Sequence, residues 1–355
     1  MSQDRPATSD PSVQEVRPAH RFDETALHRH LRAHLPDVGP ALEVRQFQGG
    51  ASNPTFLLTT EHGGETRRFV LRKKPPGQLL SSAHQVDREF RVMKALESHV
   101  PVPRMRLLCD DASVIGTAFY VMDFLPGRIF RDATLPGLAP AERAEIYDQL
   151  NLTLARLHAV DSEAAGLGDF GRPGNYFERQ VARWTRQYRD AETEHSAAME
   201  TLIAELPARI PTDASVSIAH GDYRLENVMF HPTEPRLIAV LDWELSTIGH
   251  PLADIAYNAF LWRSHSPVWG SLDGVDFAAS GIPTEAEYVA AYCRRTVREA
   301  IEDWPFYMAF SIFRLASISQ GVYRRTLAGN AAREGPAMNG APALAEQALE
   351  ILRGG

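Results

Sequence analysis

The sequence predicts an α+β protein of two lobes, a small antiparallel sheet toward the N-terminus followed by a mainly helical remainder. Three observations predict it. Segments 43–48, 55–60 and 66–72 read as strands, broken by the turn-forming stretches Gly49-Gly50-Ala51-Ser52-Asn53 and Glu61-His62-Gly63-Gly64-Glu65. Past about residue 125 the apolar residues recur mostly at helical spacing. Within that helical stretch, 228–230 and 237–241 form a second pair of short apolar runs, joined by His231-Pro232-Thr233-Glu234-Pro235, which predicts a hairpin.

Taken in order, residues 1–20 are a polar leader, expected to be disordered, and the first 17 lack the apolar stretch of a signal peptide. A helix follows over 22–35, with Leu27, Leu31 and Leu35 on one face, Asp23 available as its cap and Pro36 ending it. After the three strands, 86–96 is a helix whose Val86, Phe90, Met93 and Leu96 make an apolar stripe with Glu89 beside it. Segment 119–127 reads as a buried strand running into a turn. Helices are predicted over 140–160, 175–190, 196–205, 251–262, 285–301, 307–327 and 343–352, and 329–342, rich in Ala, Gly, Pro and Asn, as a mobile loop. The expected division is a leader at 1–20, a first lobe at 21–124 and a second at 125–355.

Composition fits that division. At about 150 residues per domain, a chain of 355 residues makes two or so units with a core between them. Hydrophobic content of 44% and charged content of 23% are ordinary for a globular protein. The formal charge of −8 argues against general nucleic-acid binding, and no apolar run approaches the length of a membrane helix, so a cytoplasmic protein is expected. Cys109 and Cys293 show no ligand spacing and read as inert buried thiols.

The chemistry lies in His220-Gly221-Asp222-Tyr223-Arg224-Leu225-Glu226-Asn227 and in Leu241-Asp242-Trp243-Glu244. Phosphoryl transfer from ATP needs a carboxylate to orient an attacking hydroxyl and accept its proton, plus oxygen donors that hold Mg²⁺ on the phosphates. Asp222 fits the first role; Asn227 and Asp242 fit the second, brought together by the hairpin between them. The motif set resembles the aminoglycoside phosphotransferase and choline kinase superfamily, whose catalytic loop begins His-Gly-Asp and ends in Asn. That resemblance implies a protein-kinase-like two-lobed fold, ATP and Mg²⁺ as cofactors, and a small-molecule hydroxyl as acceptor; whether ATP or GTP is preferred stays open.

The resemblance extends upstream. Gly49, Gly50, Ser52 and Asn53 look like a loop that covers phosphates, since glycine lets backbone approach closely. Phe69-Val70-Leu71-Arg72 looks like the strand whose basic residue reaches the phosphates and pairs with a helix glutamate, here Glu89; Arg stands where the family has Lys. Lys73 is the competing candidate, and strand alternation, which groups Arg72 with the inward Val70, favours Arg72. Met122, Asp123 and Phe124 resemble the hinge whose backbone binds the adenine edge, although a plain core strand fits the same letters.

In the second lobe, Leu157-His158 resembles a helix end that braces the catalytic loop, and Gly249-His250-Pro251-Leu252-Ala253-Asp254 a segment whose Asp anchors it. Arg224 sits where protein kinases place a Lys that meets the transferred group, or else simply pairs with a loop carboxylate. Within the superfamily the chain is similar to the kinase domain fused to acyl-CoA dehydrogenases in animals and to bacterial kinases of hydroxyacyl-CoA catabolism. The likeness rests on Val70-Leu71-Arg72-Lys73-Lys74-Pro75-Pro76-Gly77, Ala83-His84-Gln85-Val86-Asp87-Arg88-Glu89, His220-Gly221-Asp222-Tyr223-Arg224, and Phe313-Arg314-Leu315-Ala316 with Gln320-Gly321-Val322-Tyr323. It implies a hydroxyacyl-CoA acceptor and an acyl-CoA dehydrogenase acting downstream. Arg179, Arg183 and Arg186 recur at helical spacing and offer CoA phosphates a basic face, though a solvated face would look the same. Trp243, Glu244, Tyr257 and Trp262 are the remaining acceptor-side candidates, lining an apolar acyl pocket or an aromatic site for a quaternary amine. Aminoglycoside, choline or homoserine-type acceptors, and a nucleotide-binding partner module without turnover, remain the alternatives.

Overall fold

A computed structural model describes residues 12–48, 53–75, 85–172, 174–266, 269–328 and 338–354. The chain divides into two compact units, one comprising the residues up to Ile129 together with Glu226–Ser246, the other Phe130–Leu225 with Thr247–Gly355.

The first unit opens with β1 (Val13–Gln14) and α1 (Glu24–His34), whose N-cap Asp23 accepts from the Ala26 N–H at 2.8 Å. Then come β2 (Glu43–Phe47), β3 (Thr55–His62), β4 (Glu65–Lys73), α2 (Val86–Leu96), β5 (Met105–Cys109), α3 (Ala112–Ile115) and β6 (Phe119–Asp123). The six strands form one antiparallel sheet in the order β1-β2-β3-β4-β6-β5. Period-2 alternation sends Phe56, Leu58, Phe69, Leu71, Phe119 and Val121 into a core shared with Leu27 and Leu31 of α1. The leader expected to be disordered is described from Ser12 onward, and there Val13 and Gln14 pair with Phe47 and Gln46, adding a short edge strand; residues 1–11 lie outside the described residues.

The chain then enters the second unit with α4 (Pro140–His158), α5 (Tyr176–Ala191), α6 (Ala197–Glu205) and β7 (Ser217–Ala219). It returns to the first for the hairpin β8 (Val228–Phe230) and β9 (Leu237–Val240), and ends in the second with β10 (Thr247–Gly249), α7 (Pro251–Ala259), α8 (Phe277–Ser280), α9 (Glu285–Arg295), α10 (Trp304–Leu327) and α11 (Ala341–Leu352). Against α10, buried from Phe306 to Ser317, pack α5, α7 and α11. The loop expected at 329–342 lies mostly outside the described residues.

The β8–β9 hairpin belongs with the sheet rather than with the helices, which departs from the expected break at 124. Arg128 and Phe230 exchange both backbone hydrogen bonds at 2.8 Å, and Val240 N–H donates to Pro101 at 2.8 Å. A Cβ on Gly127 would meet Met229 Cγ at 2.3 Å, so only glycine admits this close passage. Helix 285–301 stops early at Arg295 because Val297 takes φ 56°, a conformation a helix cannot continue through. Among the described residues no helix is long and apolar enough to cross a membrane.

Candidate active site

In the first unit, a buried ionic network joins the sheet, α2 and the hairpin. Arg72, on β4, points to the α2 face, where its Nε lies 3.3 Å from Glu89 Oε2 and its Nη2 2.7 Å from Asp242 Oδ1 and 3.6 Å from Glu244 Oε2. Lys73 points the other way, buried over the rings of Phe22 (5.4 Å) and Phe56 (6.0 Å), and burial lowers its pKa. Burial works against the Arg72 charge, but Tyr120, Glu89 and Asp242 outweigh it, so its pKa is raised and the guanidinium stays charged. Glu89 accepts from the Tyr120 hydroxyl at 3.0 Å and from Asn53 Nδ2 at 2.8 Å. Its burial pushes the carboxyl pKa up to about 7, against the pull of Arg72. Asn53, expected in the phosphate loop, thus has its amide directed to Glu89; Gly49, Gly50 and Ser52 lie outside the described residues. On α2 the buried set is Val86, Glu89, Val92, Met93 and Leu96, with Phe90 only half-buried.

The hairpin sets the two expected metal ligands. Register Val228↔Val240 places Asn227 opposite Leu241, whose N–H donates to the Asn227 carbonyl at 2.8 Å, so Asp242 follows at the end of the same strand pair. Asp242 adopts φ 63° and ψ 61°, a left-handed conformation costly for a non-glycine residue that Asp tolerates better than most. Asn227 and Asp242 are hard oxygen donors, so the donor set fits Mg²⁺. Trp243, expected near the acceptor, is instead 1% exposed with its Nε1 donating to Val240 at 3.0 Å, which makes it packing under this turn. Glu244 lies beside Arg72 in the ionic network. At the expected hinge, Met122 pairs with Val70 and Met105 within the sheet. The N–H groups of Asp123 and Phe124 donate to Arg104 (2.9 Å) and Arg68 (3.3 Å). The Asp123 side chain pairs with Arg106 at 2.9 Å, and the Phe124 ring receives the Arg68 guanidinium at 4.4 Å.

In the second unit, Asp222 stands on a loop fastened mainly by hydrogen bonds. Gly221 takes φ 82°, open to glycine and strained for other residues. Buried Asp254, on α7, accepts the N–H groups of His220 (2.6 Å) and Gly221 (2.9 Å) and faces His158 Nε2 at 3.4 Å. Burial raises its pKa, yet His158, His220 and the Gly221 N–H outweigh this and hold it below the usual value. His158 is fixed in turn by the Tyr292 hydroxyl at 2.6 Å. The Asp222 carboxylate receives the Tyr257 hydroxyl on Oδ1 at 2.5 Å, and Arg224 Nε lies 3.7 Å from the same oxygen. Burial, then the Asp222 charge, raises the Tyr257 pKa, so the hydroxyl remains a donor. Sequence reasoning placed Tyr257 against substrate and missed this bond, which no local spacing announces.

Trp262 donates to the Pro283 carbonyl at 2.8 Å and packs on Tyr288 (4.7 Å) and Tyr147 (5.5 Å). Tyr288 bonds Asn258, which donates to the Tyr223 carbonyl at 3.3 Å, so this aromatic group braces the loop from behind. The basic face on α5 divides. Arg179 donates to the carbonyls of Gly174 and Arg172, while Arg183 and Arg186 are exposed.

A phosphotransferase enzyme family profile matches residues 43–309. The chain belongs to that family. It has the kinase-like fold of that family, with an antiparallel sheet unit and a helical unit. It is 45% identical over 358 residues to acyl-CoA dehydrogenase family member 11 of Homo sapiens, covering 98% of this chain and 45% of that protein. The chain thus spans less than half of that curated relative. A crystal structure from Ralstonia eutropha, provisionally named an aminoglycoside phosphotransferase, is 47% identical with TM-score 0.85, covering 94% of this chain and 99% of that one. Choline kinase from Cryptosporidium parvum shares the fold alone, with TM-score 0.59 at 13% identity over 93% of this chain and 95% of its own.

Proposed function

We propose that the protein transfers the γ-phosphate of ATP to the hydroxyl of a hydroxyacyl-CoA, in the catabolism of 4-hydroxy acids. The observation that carries the phosphoryl-transfer chemistry is the order Asp222, Asn227, Asp242, with Asn227 backbone-bonded to the strand that delivers Asp242. The acyl-CoA acceptor is supported by the kinship with acyl-CoA dehydrogenase family member 11. An acyl-CoA dehydrogenase would then act on the product.

Each residue has a role. Asp222, with one oxygen fixed by Tyr257, orients the acceptor hydroxyl and takes its proton. Arg224 adds positive charge beside it, and Arg72 supplies a permanent one to the nucleotide phosphates. Asn227 and Asp242 would hold Mg²⁺, which neutralises charge on the phosphates. With the Asp123 and Phe124 N–H groups engaged within the protein, the adenine edge falls to Leu125, the next residue with an N–H, because Pro126 has none.

The test is Mg²⁺-dependent ATP turnover with 4-hydroxypentanoyl-CoA, choline, homoserine and kanamycin. Phosphorylation of the CoA ester alone is expected. Efficient use of another acceptor with every hydroxyacyl-CoA ignored would discard the CoA reading and keep the transferase. ATP binding with no acceptor consumed would make the chain a partner module.

A further inference from the structure

Arg314 presents a physical anomaly. It lies midway along α10, 9% exposed, and among the described residues it makes no hydrogen bond and no ion pair. Its guanidinium nitrogens are not among the buried unpaired atoms, so its donors stand open with no counter-charge among the described residues, whereas proteins ordinarily pair a charge in a mostly buried side chain. What Arg314 has instead is aromatic surface. Its Cζ stands 5.1 Å from the Tyr257 ring centroid and 5.4 Å from that of Trp184. Cation–π contact offsets part of the desolvation without supplying the negative charge or the hydrogen-bond acceptors that the planar fork is built to engage.

A second cation shares the place. Arg183 Cζ stands 5.2 Å from the Trp184 ring. Arg183 is exposed as a residue, yet its pKa is lowered, first by partial desolvation of the guanidinium and next by the like charge of Arg314. Two arginines beside one tryptophan, each with five donors and near enough for the charge of one to act on the other, are the donor half of an anion site. The location says whose anion. The Tyr257 ring that carries Arg314 ends in the hydroxyl that bonds Asp222, so the cation lies one aromatic ring away from the carboxylate that meets the acceptor.

We propose that Arg314, assisted by Arg183, binds an anionic oxygen group of the acceptor, a carboxylate or a phosphate, and so makes the enzyme select negatively charged alcohols. This rests on Asp222 being the acceptor-side carboxylate. Of the α5 stripe it keeps Arg183 and sets aside Arg179, which is engaged with backbone carbonyls, and it adds Arg314 of α10 beside Trp184. An aminoglycoside, a polycation, would be repelled there.

The experiment compares three acceptors that share one hydroxyl: 4-hydroxypentanoyl-CoA with its phosphates, free 4-hydroxypentanoate with its carboxylate, and the uncharged N-acetylcysteamine thioester. For Arg314→Gln, the ratio of kcat/KM for the preferred anionic acceptor to that for the neutral thioester is expected to fall at least about tenfold, the scale of one lost charge-assisted contact. Which anionic acceptor loses more separates phosphate from carboxylate. Arg183→Gln, at an exposed position that does not threaten folding, should lower the same ratio by a smaller factor. An unchanged ratio in both variants, or a rise in KM for ATP with the acceptor ratio intact, would overturn the proposal. If none of the three acceptors is turned over, the hydroxyacyl reading fails separately, and pyrophosphate and acetate are tested as stabilisers of the full chain against thermal unfolding. A shift with either anion that is lost in Arg314→Gln or Arg183→Gln keeps the anion site; no shift, or one equal in all proteins, removes it.

Discussion

The two units hold their functional carboxylates by different physics. In the first, Asp242 and Glu89 share one guanidinium, and the bond from Arg72 to Asp242 joins residues 170 apart in sequence. In the second, Asp222 is held by a neutral phenol, while the loop beneath it hangs on two backbone N–H groups that Asp254 accepts. A network that includes a carboxyl pushed up to about 7 responds to pH, and its geometry alters when any member is lost. A carboxylate that accepts backbone N–H groups in the interior acts as a rigid fastening. In the function we propose, the first unit grips the charged nucleotide and the second keeps one oxygen in place for the acceptor.

Breaking the fastening should have the largest effect. Asp254→Ala strands two buried N–H groups and the facing His158, so we expect a stability loss of about 3 kcal/mol or more, read by chemical denaturation, with activity falling alongside. Breaking the charged network should leave the fold and damage the chemistry. Asp242→Ala is expected to lower Mg²⁺-dependent turnover by about 10²–10³-fold, and Asn227→Ala by less because it removes no charge. Mg²⁺ titrations that match the unmodified protein in both variants would take these residues out of the metal site. Next in size is the contrast across β4. Arg72→Ala should raise KM for ATP about tenfold, the loss of one charge-assisted contact, whereas Lys73→Met, facing Phe22 and Phe56, should leave ATP kinetics alone and be neutral or stabilising. The reverse ranking would show the strand's facing to be misassigned.

The smallest effect is a pH slope. Glu89 has an ordinary pKa of 4.5 and is pushed to about 7 in the folded protein, so between these values the folded state binds more protons than the unfolded. Stability from this group is fully present below about 4.5 and is lost as pH rises through 7. Glu89→Gln should flatten that part of the stability profile, measured in metal-free buffer; an unchanged slope would mean Glu89 is already ionised there.

Sequence reading carried far where chemistry and period coincide. Arg72 could be distinguished from Lys73 because strands alternate, and the hairpin announced itself by His231-Pro232-Thr233-Glu234-Pro235 between two apolar runs. What stayed hidden was long-range. Asn53 reads as a loop residue, and only the folded sheet brings its amide to Glu89. Strand β5, Met-Arg-Leu-Leu-Cys, lacks alternation, and β7 and β10 are three residues each, too short to carry a period. Trp243 looked like a binding aromatic because exposure cannot be read from a residue's type.

The central claim is that Asp222 serves the acceptor while the Arg72 network serves the nucleotide. Asp222→Asn tests it most directly, with Mg·ATP affinity and turnover measured on the same preparation. The account predicts nucleotide affinity close to that of the unmodified protein and turnover lower by roughly 10²–10⁴-fold. Retention of more than about a third of kcat, or an affinity loss that matches the loss of turnover, would contradict it.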